Sequence, residues 1–324
     1  MRVLFMGTPD IAAVCLSALA ASHHEVVGVV TSPDKPRGRR FVMTPPIVKV
    51  RAEELGIPVY QPETLRDGAL LPCLEECRPD ICVVVAYGKR LPPYVLTAAP
   101  YGCLNLHVSL LPAYRGAAPM QRAIMAGERE TGVSVMYMDE GLDTGDILSL
   151  HRFPIGPEDD LGVVERTSGE IGGPALIAAL DMLAAGTAPR TKQAAEGASY
   201  AAKITKDDQP LDFSMTTAAL LAKIRGLSPA PLALTHGADG RAVKVLTARA
   251  GEGADAYGVY PSGATQAAAP GTVLSLLDKG EGAITVATGD GTIVFTRVHP
   301  EGKNVMSAAD FIRGRRVAVG DILS

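Results

Sequence analysis

Short apolar runs alternate with helix-patterned stretches along the first half of this chain, and that alternation constrains the fold more than any other feature. The tightest run, Ile81–Ala86 (Ile-Cys-Val-Val-Val-Ala), has no polar face, as expected for a strand covered on both sides. Arg2–Gly7, Glu25–Thr31, Ile57–Tyr60, Gly102–Val108, Val133–Met138 and Ile147–Phe153 read as further strands. Between them, Pro9–Ala21, Pro45–Leu55, Leu65–Cys77 and Pro119–Ala126 carry helix signals. Thr8 is placed to cap the first of these, and Gly56 to stop the second. Leu161–Ala185 is an Ala-rich helical stretch with an expected break at Gly172-Gly173. Alternation of this kind predicts an α/β domain with a mostly parallel sheet and helices on both faces.

The second half is patterned differently. Residues 187–207 are polar, poor in large aliphatics and contain Pro189-Arg190, which predicts a linker between a domain at 1–186 and one at 208–324. Thr216–Ile224 reads as a helix. Pro231–Thr235, Val243–Ala248, Gly271–Leu277, Ala283–Ala287 and Thr292–Val298 are β-signals at short spacing. Gly-Ala-Asp-Gly at 237–240 and Gly-Asp-Gly at 289–291 suit hairpin turns. This pattern predicts a small β-barrel. Gly251–Pro270 has no period and reads as a flexible insertion, and Ser307–Ile312 as a short helix capped by Ser307.

Composition narrows the classes. With 47% hydrophobic and 20% charged residues, wholesale disorder is excluded. A net charge of −4 argues against a generic DNA-coating protein but leaves room for a local basic patch. No stretch approaches the roughly 20 apolar residues that span a bilayer. The opening run Met1–Gly7 is too short for a secretory leader. Cys15, Cys82 and Cys103 lie in apolar runs, and Cys73 and Cys77 are spaced to share a helix face. An odd cysteine count with no zinc-type spacing fits a reducing compartment. A cytoplasmic, metal-free protein is expected, and nothing in the sequence calls for an obligate dimer.

In an open α/β sheet, ligands bind beyond the carboxyl ends of the strands. Three strand ends qualify: Ala86-Tyr87-Gly88, Asn105-Leu106-His107-Val108-Ser109, and Met138–Asp143. Strand periodicity puts Asn105 and His107 on one face. A carboxamide can stabilise a carbonyl oxygen that becomes negative, and imidazoles exchange protons near neutral pH. Asp143, bracketed by Gly141 and Gly145, could orient the histidine. Taken singly, each residue has a plainer role: strand-end histidines are usually structural, and Asp beside Gly is common in turns. Gly7-Thr8-Pro9 opens a helix but lacks GxGxxG, which disfavours a dinucleotide site. The stretch Ser32–Pro46 concentrates Lys35, Arg37, Arg39 and Arg40 against Asp34 alone. Such a run is either a solvated face or a grip for phosphates.

Ser109-Leu110-Leu111-Pro112, then Arg115-Gly116-Ala117-Ala118-Pro119, then Gly141-Leu142-Asp143-Thr144-Gly145-Asp146, with Asn105-x-His107 ahead of the first, resembles the formyltetrahydrofolate-dependent formyltransferases. The opening Gly7-Thr8-Pro9-Asp10, Pro33-Asp34-Lys35-Pro36, Pro119-Met120-Gln121-Arg122 and Met306-Ser307-Ala308 resemble the branch of that family that acts on methionyl-tRNA. The resemblance implies a Rossmann-like formyltransferase domain that binds 10-formyltetrahydrofolate, followed by an OB-like β-barrel that helps hold the initiator tRNA. It implies Asn105, His107 and Asp143 as the catalytic group, with Asn105 and His107 facing the oxyanion. It places Tyr87, Gly88 and Ser109, Leu110, Leu111 and Pro112 along the folate. It gives the loop with Lys35, Arg37, Arg39 and Arg40 a role in tRNA binding. Val108 stands where many members have glycine, and family tryptophans are missing. A formyltransferase for nucleotide-linked amino sugars, a formyltetrahydrofolate hydrolase and a non-enzymatic RNA-binding module are the competing readings.

Overall fold

The computed structural model describes residues 1–37, 41–261 and 268–324. The chain forms two compact units. One comprises 1–119, 131–153 and 165–201, and the other 120–130, 154–164 and 202–324. The division therefore does not fall at a single point in the chain, and the stretch 187–201 belongs with the first unit.

The first unit is built on a seven-stranded sheet. Its strands are β1 (Arg2–Gly7), β2 (Glu25–Val30), β3 (Val59–Tyr60), β4 (Ile81–Val85), β5 (Cys103–His107), β6 (Glu130–Tyr137) and β7 (Ile147–Pro154). Their order across the sheet is β7-β6-β5-β4-β1-β2-β3. Pairing is parallel from β3 through β5, and β6 runs antiparallel to β5. In β4, Ile81, Val83 and Val85 join one apolar cluster, and Cys82 and Val84 join the cluster on the opposite face. A strand buried on both faces explains why this run shows no polar alternation. Burying each such valine or isoleucine contributes about 1.5–3 kcal/mol. All five cysteines are buried and free, and Cys73 Sγ lies 4.0 Å from Cys77 Sγ on one helix face. Burial pushes the Cys15 thiol up to about 12.

Several expectations change. The first helix runs Asp10–Ala20 and has no side-chain cap. The Thr8 hydroxyl instead lies 3.2 Å from Ser32 Oγ and 3.4 Å from the Tyr87 carbonyl, across the strand ends. The helix expected from Leu65 starts only at Leu71, because Asp67 and Gly68 adopt positive φ. The helix Leu161–Ala184 is continuous through its glycine pair. A Cβ on Gly172 would stand 2.4 Å from Leu106 Cδ2, and one on Gly173 2.6 Å from Ala18 Cβ. These glycines let the helix approach the sheet and the first helix, a use of glycine that costs helix propensity but not continuity.

The second unit carries an antiparallel sheet of Ala233–His236, Ala242–Ala250, Thr292–Pro300, Ala283–Ala287 and Val273–Leu277, in that spatial order, with Met306–Ser307 paired to Thr292–Pro300. Both glycine-rich turns are hairpins, since each joins antiparallel neighbours. The helix Thr217–Leu227 is capped by Thr216, and Ala308–Arg313 by Ser307. Arg122 closes a bidentate bridge to Asp208 at 2.6 and 3.0 Å, and Arg225 donates to the carbonyls of Gly156 and Asp159 at 3.1 Å. In the segment read as a flexible insertion, Tyr260 Oη bonds Thr292, and residues 262–267 lie outside the described residues.

Candidate active site at the carboxyl edge of the parallel sheet

Sheet order reverses between β1 and β4, which opens a crevice at their carboxyl ends. A Cβ on Gly7 would lie 2.8 Å from the Val85 carbonyl, so glycine there keeps the two strand ends close. The neighbouring strand, β5, delivers Asn105 and His107 at the same edge.

His107 is 5% exposed. Its Nε2 lies 2.9 Å from the Tyr114 carbonyl, and its Nδ1 3.7 Å from Asp143 Oδ2. A carbonyl only accepts, so Nε2 carries the proton in that bond. In the neutral ring Nδ1 is then a bare lone pair facing a carboxylate across a gap too long for a direct hydrogen bond. That gap suits an incoming N–H. Once Nδ1 takes a proton, the carboxylate beside it stabilises the imidazolium. Asn105 is half-buried, and its carboxamide is engaged by none of the described residues.

Asp143 is held from several sides. Its backbone has φ 54°, a left-handed conformation rare outside glycine, asparagine and aspartate. Gly116 N–H donates to Oδ2 at 2.8 Å. Gly145 comes so close to β6 that a Cβ would stand 1.8 Å from the Tyr137 carbonyl. Asp139 accepts from Gly141 N–H at 2.9 Å and from the Thr144 hydroxyl, fixing the start of the loop.

The stretch read as a linker supplies the rest. Gln193 Nε2 donates to the carbonyls of Asp143 at 2.9 Å and Gly145 at 2.8 Å. Its Oε1 accepts from Arg115 Nε at 3.0 Å and Nη2 at 2.7 Å. Thr191 exchanges main-chain bonds with Ile147, and Tyr200–Ala201 pairs in parallel with Arg115–Gly116. Gln193 is the residue beside the candidate site that motif reading passes over. Its amide nitrogen binds main-chain carbonyls, which leave no mark in the sequence, and its oxygen binds Arg115, which the motif Arg115–Pro119 contains without showing this partner.

The residues expected along the folate divide. Tyr87, Ser109 and Leu111 are buried in the unit. The Ser109 hydroxyl donates to the Ala113 carbonyl at 2.7 Å, and the Tyr87 hydroxyl is buried without a partner, its pKa pushed up to about 12 by burial. Ser109 is thus engaged within the fold, whereas the Tyr87 hydroxyl is buried and unpaired. Leu110 and Pro112 are half-buried, and Gly88 is exposed with φ 79°. Just beyond Gly88 lies a cavity of about 490 Å³ lined by Thr64, Leu65, Lys89, Arg90, Leu91 and Glu140. Arg90 donates to the Glu140 carbonyl at 2.6 Å, and burial pulls Lys89 below the ordinary lysine value.

Of the basic stretch, Lys35 is exposed in a short hairpin of Lys35–Arg37 with Val42–Thr44. Arg39 and Arg40 lie outside the described residues. Among the described residues, the side chains close enough to share a metal ion are His23, His24 and Asp181. They sit at the amino end of β2, the opposite edge of the sheet from His107. His23 Nε2 is 2.7 Å and His24 Nε2 3.2 Å from Asp181 Oδ1, a staple between the helix Leu161–Ala184 and the turn before β2.

A parallel α/β sheet bearing a carboxamide, an imidazole and a carboxylate at its carboxyl edge is the frame of a group-transfer enzyme. The family model for formyl transferase matches residues 1–180, and that for the formyl transferase C-terminal domain matches 203–316. Methionyl-tRNA formyltransferase of Symbiobacterium thermophilum is 44% identical over 320 residues, 99% of this chain and 94% of that protein. The methionyl-tRNA formyltransferase of a Methylobacterium species is 44% identical over 327 residues, 100% of this chain and 99% of that protein. Two solved structures are similar in fold. HypX from Aquifex aeolicus in complex with tetrahydrofolic acid has a TM-score of 0.62 at 19% identity, covering 96% of this chain and 47% of its own. An N-formyltransferase from Helicobacter canadensis in complex with folinic acid and dTDP-3-aminofucose has a TM-score of 0.63 at 16% identity, covering 91% of this chain and 98% of its own. The chain belongs to the formyl transferase family.

Proposed function

We propose that this chain transfers the formyl group of 10-formyltetrahydrofolate to the α-amine of initiator methionyl-tRNA, giving N-formylmethionyl-tRNA for translation initiation. Full-length relatives named methionyl-tRNA formyltransferase support the acceptor, and the formyl transferase family, with a fold neighbour holding tetrahydrofolic acid, supports a folate donor. The observation that carries the chemistry is the 3.7 Å gap between His107 Nδ1 and Asp143 Oδ2, with Nε2–H already committed to Tyr114.

The amine attacks the formyl carbon, and the carbonyl oxygen becomes negative. Asn105 donates its free N–H groups to that oxygen. His107 Nδ1 takes the proton released by the nitrogen, and Asp143 steadies the resulting imidazolium. The tetrahedral centre then collapses. The bond to N10 of the folate breaks, and His107 returns its proton to that nitrogen. Atoms and charges balance without a covalent enzyme intermediate or a metal. Neutral His107 therefore acts first as a base, and only its protonated form can face an oxyanion as a donor.

In this reading residues 1–186 perform the chemistry and 208–324 hold the tRNA. The stretch 187–207 both connects them and, through Gln193, fixes the Asp143 loop. Arg66, Lys89 and Arg90 outnumber Glu63 and Glu140 around the cavity, a balance suited to the carboxylates of a folate tail. The enzyme acts as a monomer in the cytoplasm, where its tRNA is. The test offers labelled 10-formyltetrahydrofolate with methionyl-tRNA, uncharged tRNA or an amino-sugar nucleotide. Label in methionyl-tRNA alone is expected. Label in the sugar, or free formate with every acceptor, would reject the assignment.

A further inference from the structure

The edge of the sheet opposite His107 carries a cluster of side chains that the proposed chemistry does not use. His23 and His24 sit in the turn before β2, and Asp181 belongs to the helix Leu161–Ala184. The two imidazole rings lie side by side, with centroids 4.2 Å apart and planes tilted by 42°. Both reach one carboxylate oxygen: Asp181 Oδ1 is 2.7 Å from His23 Nε2 and 3.2 Å from His24 Nε2. The three atoms lie within 4.8 Å of one another.

A staple between helix and turn accounts for only part of this. The contact of His23 with Asp181 is an ordinary hydrogen bond. The His24 side chain is 1% exposed, yet its Nε2 has no hydrogen-bond partner. Neither Asp181 Oδ1 nor the neighbouring Ile177 carbonyl meets that nitrogen in hydrogen-bond geometry. Leaving a buried polar atom unpaired is unfavourable, so a group that completes it is expected. Burial, then the Met1 amine and His23, hold the His24 imidazole below its ordinary value, in the neutral form whose lone pair binds metal. Sequence spacing could not show the cluster, because Asp181 lies far along the chain from the two histidines.

We propose that His23 Nε2, His24 Nε2 and Asp181 Oδ1 bind one divalent transition-metal ion of the zinc type, with water completing its coordination. Two imidazoles and one carboxylate suit such an ion better than calcium or magnesium, which take oxygen ligands. Bonds of about 2.0–2.2 Å to a shared centre place tetrahedral donors roughly 3.4 Å apart, so small side-chain adjustments seat the ion. His23 and Asp181 are exposed, which leaves an entry path and room for water. Metal on Nε2 puts the ring proton of His24 on Nδ1, and the Met1 amine 3.2 Å away accepts it after losing a proton of its own. The ion fastens the helix Leu161–Ala184 to the turn before β2, whether or not the chain formylates methionyl-tRNA. The metal-stripped full-length chain is titrated with cobalt(II), whose absorption reports tetrahedral coordination, and then with zinc(II), with thermal melting read in parallel. One cobalt per chain, displaced by zinc, and a higher melting temperature with zinc are expected. His23→Ala and Asp181→Ala should weaken cobalt binding at least about 10-fold and abolish the zinc-dependent rise in melting temperature, with formyl transfer unchanged. His23→Gln keeps a donor for Asp181 and removes a ligand, so it should also lose the metal while melting like the wild-type chain without metal. No tetrahedral spectrum in the wild-type chain, or wild-type cobalt affinity in His23→Gln, overturns the site. The same zinc-dependent shift in every variant would mean an adventitious ion only.

Discussion

Two loops leave the carboxyl edge of the same sheet, and they are built in opposite ways. The Asp143 loop is satisfied from within: Gly116, Gln193 and Asp139 hold its polar groups, and Gly145 is pressed against β6. The strand pair Lys35–Arg37 with Val42–Thr44 leaves Phe41, Val42 and Met43 exposed to solvent. Positioning reacting atoms rewards a geometry fixed before the substrate arrives. Gripping a large partner rewards groups that the partner itself completes. In the proposed function the contrast would separate a loop for chemistry from a loop for recognition on one scaffold.

Substitutions can break or sharpen that contrast. The largest effect is expected at Asp143→Asn, which keeps an acceptor for Gly116 N–H but removes the charge beside His107. Its kcat should fall about 10²–10⁴-fold with little change in thermal midpoint. Equal loss of stability and rate would make Asp143 structural. Gln193→Ala frees the Asp143 and Gly145 carbonyls, and kcat should drop by up to about 100-fold while KM for tRNA holds. A KM effect of the same size would move Gln193 into recognition. Gly145→Ala inserts a methyl where a carbonyl stands, so chemical denaturation should show a loss of about 1–3 kcal/mol along with activity. Retained activity would mean the loop tolerates displacement. On the recognition side, Arg39→Ala should raise KM for tRNA and reduce the salt slope by about 1, with kcat unaffected. An unchanged slope would remove Arg39 from phosphate binding.

The smallest effect lies at the far edge of the sheet. Burial holds the buried His24 below the ordinary imidazole value of 6.5. Between its folded and unfolded values the unfolded chain binds the extra proton, so stability is complete above about 6.5 and drains as pH falls toward the folded value. Melting curves from pH 7.5 down to 5 should show that acid-side loss, and His24→Asn should flatten it. A loss of the same shape in the variant would assign it to other groups.

Much of this was legible because it rests on local pattern. The two-sided apolar run of β4, the spacing of Asn105 and His107, and the cap at Ser307 each need only neighbours in sequence. What escaped involves distant or main-chain partners. Alternation cannot give the direction of β6 against β5. Thr8 looks like a cap until strand ends far along the chain take its hydroxyl. Gly172-Gly173 looks like a break until Leu106 and Ala18 explain the absent side chains. Polar composition made 187–207 a linker, because Gln193 binds carbonyls that carry no sequence signal. For the same reason the contact of His107 Nε2 with the Tyr114 carbonyl, on which the proposed role of Nδ1 rests, was invisible.

Single-turnover formyl transfer to methionyl-tRNA, with both substrates saturating, tests the division between the loops most directly. The wild-type chain, Asp143→Asn and Arg39→Ala are compared in one assay. Asp143→Asn is expected to slow the saturated step by at least about 100-fold, while Arg39→Ala matches wild type once tRNA saturates. A wild-type rate in Asp143→Asn, or an equal fall in both variants, would contradict it.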